Sequence, residues 1–119
     1  MAEGKILIVE DNGIIALSMS RILARRGYKI LGPISSGEEA VEFALRHQPE
    51  LILMDIFLSG PMDGITAARE IQANLDVVVI YLSGSSEDER LQPGEVICLM
   101  KPINEHELVE AVEANLKKS

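Results

Sequence analysis

The sequence is poor in cysteine and in aromatic residues: it has one Cys, two Tyr, two Phe and no Trp. A single cysteine, Cys98, excludes an internal disulfide, and no Cys or His stands near it at the spacing of a zinc site. We therefore predict that Cys98 packs in a strand as a small hydrophobic residue. So few aromatic rings also argue against a platform on which nucleic-acid bases stack.

Basic charge is also scarce. The 119 residues include 11 Lys and Arg against 19 Asp and Glu, which gives a net charge of -8. This balance excludes direct nucleic-acid binding through a basic face. No apolar run reaches the length of a membrane span, and the N-terminus lacks the pattern of a signal peptide. The sequence therefore predicts one cytoplasmic domain, residues 1–119, with no membrane partner.

Five short apolar runs have the length of β-strands, and in each the apolar residues are continuous rather than alternating. Continuous runs are typical of strands buried on both faces, as in a parallel sheet. The predicted strands cover residues 5–9, 29–32, 51–54, 77–82 and 96–100.

Helical patterns lie between these runs, with apolar residues at helical spacing. The first pattern ends before Gly27, and Ser36 with Glu39 forms a capping-box pattern ahead of the second. Two further helices begin near Ile65 and Asn104. Strands that alternate with helices predict an α/β domain whose parallel sheet has helices on both faces.

The interval after the fourth strand differs from the others. Residues 83–95 read SGSSEDERLQPGE, in which Pro93 and Gly94 interrupt any helix. We therefore predict five βα units with a shortened fourth helix. In such sheets the ligand site lies beyond the carboxyl ends of the strands.

Charged and polar residues stand at those strand ends. Glu10 and Asp11 follow the first strand, Asp55 the third, Ser83 the fourth and Lys101 the fifth. Three neighbouring carboxylates repel one another, so a cation must compensate if all are to stay ionised. Oxygen ligands in so small a cluster suit Mg²⁺. An aspartate held ionised beside Mg²⁺ and a lysine can act as a nucleophile toward phosphorus, and we predict that role for Asp55.

The sequence resembles the receiver domain of two-component response regulators over its whole length. The segments that carry the resemblance are ILIVEDN (6–12), LILMDI (51–56), MDGI (62–65), VIYLSG (79–84) and LMKPI (99–103). Each is common alone, but this order and their positions at strand ends are specific. The resemblance implies a flavodoxin-like (βα)5 fold, a doubly wound five-stranded parallel sheet of strand order 2-1-3-4-5.

The resemblance also implies a function. Asp55 would accept a phosphoryl group from a phosphohistidine, with Mg²⁺ as the cofactor. Asp11 and Asp55 would bind the metal with the backbone carbonyl of Phe57, and Glu10 would act through water or as an outer ligand. The protein would then be a switch rather than an enzyme, since it would promote only its own phosphorylation and dephosphorylation.

Other parts of the implied site hold the phosphoryl oxygens. Ser83 and Lys101 would contact them, helped by the backbone N–H of Gly84, and the bond between Lys101 and Pro102 is a candidate for the cis form. The implied partners are a sensor histidine kinase or a histidine phosphotransfer protein, then a downstream protein or an output domain that the sequence lacks. A homodimer is compatible with this scheme.

Several positions depart from the usual family pattern. Cys98 stands where receivers often carry an aromatic switch residue, and Gly84 stands where alanine is more usual. The interval from Ser83 to Lys101 is about one helical turn shorter than expected. Phe57, soon after the predicted phosphoacceptor, is interpreted as a shield against attacking water.

Three alternatives stay open. The first is a degenerate receiver that acts as an interaction or dimerisation scaffold without phosphorylation. The second is a phosphatase of the haloacid dehalogenase type, although that family needs a second aspartate where Phe57 stands. The third is a flavin-binding flavodoxin, although Glu10 and Asp11 would repel its phosphate. Taken alone, Glu10 and Asp11 would also fit a turn that caps the first helix at Asp11 or Asn12.

Overall fold

A five-stranded parallel sheet forms the centre of the protein. The structure is a computed structural model that describes residues 4–84 and 97–116. The strands are β1 (Lys5–Val9), β2 (Lys29–Ile34), β3 (Leu51–Asp55), β4 (Val78–Ser83) and β5 (Ile97–Met100). Their order is β2-β1-β3-β4-β5, and every neighbouring pair is parallel. The predicted fold class and strand order are therefore confirmed.

Helices cover both faces of this sheet. They are α1 (Gly13–Arg25), α2 (Gly37–His47), α3 (Gly64–Gln72) and α4 (Glu105–Leu116). Successive strand residues point to opposite faces, so Leu7 and Ile52 pack with α2 and α3, whereas Ile6 and Leu53 pack with α1 and α4. None of these helices is long and apolar enough to cross a membrane. The predicted short fourth helix falls on residues outside the described ranges.

Each described helix begins with a polar side chain that accepts a hydrogen bond from a backbone N–H of the first turn. These residues are Asn12, Ser36, Asp63 and Asn104. Asn12 rather than Asp11 is thus the cap of α1, and its backbone N–H donates to Oε2 of Glu10 at 3.1 Å. The predicted capping box is present in a modified form, because the Ser36 hydroxyl donates to Oε1 of Glu39 at 3.2 Å.

The strand ends correct the predicted bounds. β2 continues through Gly32 to Ile34, which pairs with Val9 after an irregularity in the ladder. Asp55 and Ser83 are the last residues of β3 and β4 rather than the residues after them, because their backbones still pair with the neighbouring strands. The backbones of Asp55 and Ser83 are therefore fixed by the sheet itself.

Cys98 corrects a prediction about burial. It lies in β5 as predicted, but its side chain is exposed. β5 pairs with β4 on one side and forms an edge of the described sheet, and Met100 on the same strand face is also exposed.

Candidate functional site

The carboxyl ends of β1, β3, β4 and β5 bring a polar cluster together. In the described part of the chain the buried polar or charged residues are Glu10, Asp55 and Ser83, each at most 2% exposed, and all three lie at this edge. Burial of polar groups is costly unless they are paired or bind an ion. Their concentration at one edge therefore marks this edge as the candidate site.

The three predicted carboxylates are close enough to share one cation. Glu10, Asp11 and Asp55 each offer an oxygen, and these oxygens all lie within 4.8 Å of one another. Asp11 is exposed, while the other two are buried, so the cluster opens to solvent on the Asp11 side. Hard carboxylate oxygens with one open side suit Mg²⁺, which keeps several of its waters.

Lys101 joins the cluster from β5. Its Nζ lies 3.1 Å from Oε1 of Glu10 and 3.3 Å from Oδ2 of Asp55. The Glu10 contact is an ion pair without hydrogen-bond geometry at Oε1, and that buried oxygen has no hydrogen-bond partner among the described residues. A buried oxygen left in this state is one that a bound cation would satisfy. The residues present therefore fit a divalent metal.

The electrostatics of the cluster point the same way. The pKa of Asp55 is raised to about 6: burial is the largest cause, and the neighbouring Glu10 adds to it, while Lys101 and the Phe57 N–H act in the opposite direction. Burial alone would lower the pKa of Lys101, but its contacts with Glu10 and Asp55 outweigh burial, and the pKa is raised. The cluster thus has more negative charge than Lys101 can compensate, as the sequence predicted.

The loop after β3 contacts two of the carboxylates. The backbone N–H of Phe57 donates to Oδ1 of Asp55 at 3.1 Å, and the Ser59 hydroxyl donates to Oδ2 of Asp11 at 2.9 Å. The Phe57 side chain is 60% exposed and lies in the segment that directly follows Asp55. Phe57 therefore fixes Asp55 through its backbone and leaves its ring in solvent.

Ser83 and Lys101 are held next to each other by the sheet. The backbone N–H of Lys101 donates to the carbonyl oxygen of Ser83 at 2.8 Å. The bond between Lys101 and Pro102 is cis, as predicted. Gly84, directly after Ser83, is exposed, and no atom of the described residues lies within 4 Å of the position that a Cβ would take there.

The contact between Ser59 and Asp11 was not predicted from the sequence. The two residues are 48 positions apart, and a serine in a loop carries no pattern that identifies its partner. By contrast, the contacts of Lys101 with Glu10 and Asp55 are those that the sequence predicted.

Comparison with known proteins agrees with this geometry. A family model described as the response regulator receiver domain matches residues 6–113. The transcriptional regulatory protein PdtaR of Mycobacterium tuberculosis is 33% identical over 113 residues, which cover 92% of this chain and 55% of PdtaR. The chemotaxis protein CheY of Bacillus subtilis is 31% identical over 117 residues, which cover 94% of this chain and 97% of CheY.

A solved structure shows the same architecture with a metal bound. The receiver domain of the sensor histidine kinase PA1611 from Pseudomonas aeruginosa is 31% identical, with a TM-score of 0.85 over 98% of this chain and 100% of that one. That structure has a magnesium ion coordinated in its active-site cleft.

Proposed function

The chain belongs to the response regulator receiver domain family, and on this premise we propose that it serves two-component signalling by accepting a phosphoryl group at Asp55. The observation that carries the proposal is the position of Asp55. It is 2% exposed at the end of β3, lies 3.3 Å from the Lys101 ammonium, and shares a cluster with Glu10 and Asp11.

The chemistry is one phosphoryl transfer. A carboxylate oxygen of Asp55 forms a bond to phosphorus, the P–N bond of a phosphohistidine donor breaks, and the imidazole leaves and takes up a proton. Lys101 compensates charge on the phosphoryl oxygens from its place beside Asp55. Mg²⁺, when bound, supplies further positive charge there. Glu10, Asp11, Asp55 and the backbone carbonyl of Phe57 are the groups proposed to hold it.

Ser83 and Gly84 are proposed to complete the phosphoryl site. Ser83 is fixed at the end of β4, next to the strand that ends in Asp55. Its hydroxyl would donate to one phosphoryl oxygen and the Gly84 N–H to another. Within the described part of the chain, nothing fills the space beside Gly84 that the phosphoryl group would need.

The proposed partners follow from the same chemistry. A sensor histidine kinase or a histidine phosphotransfer protein would donate the phosphoryl group, and a downstream protein or an output domain would respond to it. The chain spans about half the length of PdtaR, so the single-domain organisation 1–119 is itself a proposal. The cytoplasmic location and the homodimer stay predictions.

A scaffold that works without phosphorylation would not need the cluster of Glu10, Asp11, Asp55 and Lys101. Since these residues lie together, the described part of the chain does not favour that alternative. Some relatives are larger enzymes. The region matched in a protein-glutamate methylesterase of Archaeoglobus fulgidus covers 82% of this chain but only 30% of that enzyme. We propose that this chain acts on no other substrate.

Intact-mass spectrometry after incubation with a small-molecule phosphodonor tests the proposal. We expect one phosphoryl adduct that requires Mg²⁺ and is lost in Asp55→Asn. Asp76→Asn is the matched control, because Asp76 is exposed and lies just before the start of β4, whereas the cluster lies at the carboxyl ends of the strands. An adduct that persists in Asp55→Asn, or none in the parent protein, would overturn the assignment.

A further inference from the structure

Asp11 differs from the other two carboxylates of the cluster because it is exposed. An exposed aspartate can adopt several rotamers. When such a side chain binds a metal it loses this freedom, and the entropy cost lowers the affinity for the metal. Among the described residues, the hydrogen bond that orients the Asp11 carboxylate comes from Ser59, whose Oγ lies 2.9 Å from Oδ2. Among the described residues only Oδ2 of Asp11 accepts a hydrogen bond, which leaves Oδ1 to a cation.

The backbone of Ser59 is itself held in place. It forms a parallel bridge with Ser36, the residue that caps α2. Three residues further on, Met62 lies directly against Gly37, where a Cβ would come within 2.7 Å of the Met62 carbonyl oxygen. The loop between β3 and α3 is thus packed on the first turn of α2, which fixes the backbone from which the exposed Ser59 side chain reaches Asp11.

We propose that Ser59 is a positioning residue that holds Asp11 in the orientation in which it binds the divalent cation. The inference rests on the proposed Mg²⁺ site and adds to it a residue that does not touch the metal. Carboxylate ligands of metals are themselves hydrogen-bonded in this way, and the loss of such a partner lowers metal affinity. The hydroxyl of Ser59 acts by reducing the freedom that Asp11 loses on binding.

Calorimetric titration of the full chain with Mg²⁺ alone tests the inference, with no phosphodonor present. We expect the Kd for Mg²⁺ to be about tenfold larger in Ser59→Ala than in the parent. Ser59→Thr keeps the hydroxyl and is expected to restore most of the affinity. Asp11→Asn marks the loss of a ligand and is expected to bind more weakly than Ser59→Ala.

Ser36→Ala separates positioning from a general effect on the loop. It removes a hydroxyl from the same junction, but that hydroxyl contacts Glu39 rather than Asp11. We expect it to lower the urea midpoint of the metal-free protein and to leave the Kd for Mg²⁺ unchanged.

The outcomes are distinguishable. If the parent binds Mg²⁺ and Ser59→Ala binds it equally well or more tightly, the role of Ser59 is wrong and the metal site stands. The role is also wrong if Ser36→Ala weakens binding as much as Ser59→Ala does. A parent protein that binds no Mg²⁺ overturns the metal site and this inference together.

Discussion

Gly64, the first residue of α3, lies directly against the backbone carbonyl group of Asp55. A Cβ at position 64 would overlap the carbonyl oxygen and come within 2.9 Å of the carbonyl carbon. The backbone N–H of Gly64 also donates to the carbonyl oxygen of Ile56 at 2.9 Å. The start of α3 therefore fixes the backbone that carries the proposed phosphoacceptor, and only glycine permits this close approach.

We expect Gly64→Ala to lower the free energy of unfolding by roughly 1–3 kcal/mol, because the methyl group forces backbone atoms apart in a packed region. Urea unfolding measures the change. Gly13→Ala is the matched control: Gly13 is also the first residue of a helix, but open space surrounds the added Cβ. A Gly64→Ala protein as stable as Gly13→Ala would contradict the contact.

The sheet and most of the site could be predicted from the sequence. Continuous apolar runs identify buried strands, and a parallel sheet brings the ends of such strands to one edge, so Glu10, Asp55 and Lys101 had to meet. Strand order came from the resemblance rather than from the pattern, because apolar runs do not identify their neighbours.

Contacts made by loops could not be predicted in this way. The partnership of Ser59 and Asp11 depends on the path of the segment after β3, in which Gly60 has a φ of 94°. Cys98 is exposed because it lies on the face of β5 opposite to Ile97 and Leu99, which pack against the core, and a continuous apolar run does not reveal which face is covered. Sequence patterns predict helices and strands better than they predict the contacts of loops or the exposure of a strand face.

Lys101→Met is expected to bind Mg²⁺ several-fold more tightly than the parent while forming the phosphoryl adduct more slowly. The Lys101 ammonium compensates part of the negative charge of Glu10 and Asp55. Without it, the two carboxylates attract the metal ion more strongly. Calorimetry near pH 8 gives the affinity, and mass spectrometry over time gives the rate. Lys29→Met, an exposed lysine of β2, changes net charge equally and serves as the control. Weaker binding in Lys101→Met would show that Lys101 supports the metal rather than opposing it.

The stability of the metal-free protein should depend on Asp55 and pH. The pKa of Asp55 is about 6 in the folded protein, against an ordinary value of 3.8 for an aspartate carboxyl. The folded state therefore holds the proton more tightly, and the stabilisation present below about pH 4 is lost as the pH rises through about 6. We expect Asp55→Asn to be more stable than the parent at pH 7.5 by roughly 1–3 kcal/mol, with little difference at pH 4.

Urea unfolding in the presence of a chelator, repeated across this pH range, measures that difference. Asp76→Asn, at an exposed site, should follow the parent at every pH. If Asp55→Asn were the less stable protein at pH 7.5, the cluster would be a net source of stability, and the metal would not be needed to relieve it.

Phe57→Asn is expected to shorten the lifetime of the phosphoryl group several-fold with little change in stability. The Phe57 ring is 60% exposed, so its loss removes few packing contacts. Its backbone N–H still donates to Asp55, so the proposed phosphoacceptor keeps its position. If the Phe57 ring shields the phosphoryl group as the sequence predicts, asparagine would let water approach and would hydrogen-bond it. Decay of the adduct after removal of the phosphodonor, followed by mass spectrometry, measures the lifetime, and Phe57→Leu is the control that keeps an apolar side chain. Equal lifetimes in Phe57→Asn and Phe57→Leu would show that the ring does not shield the site.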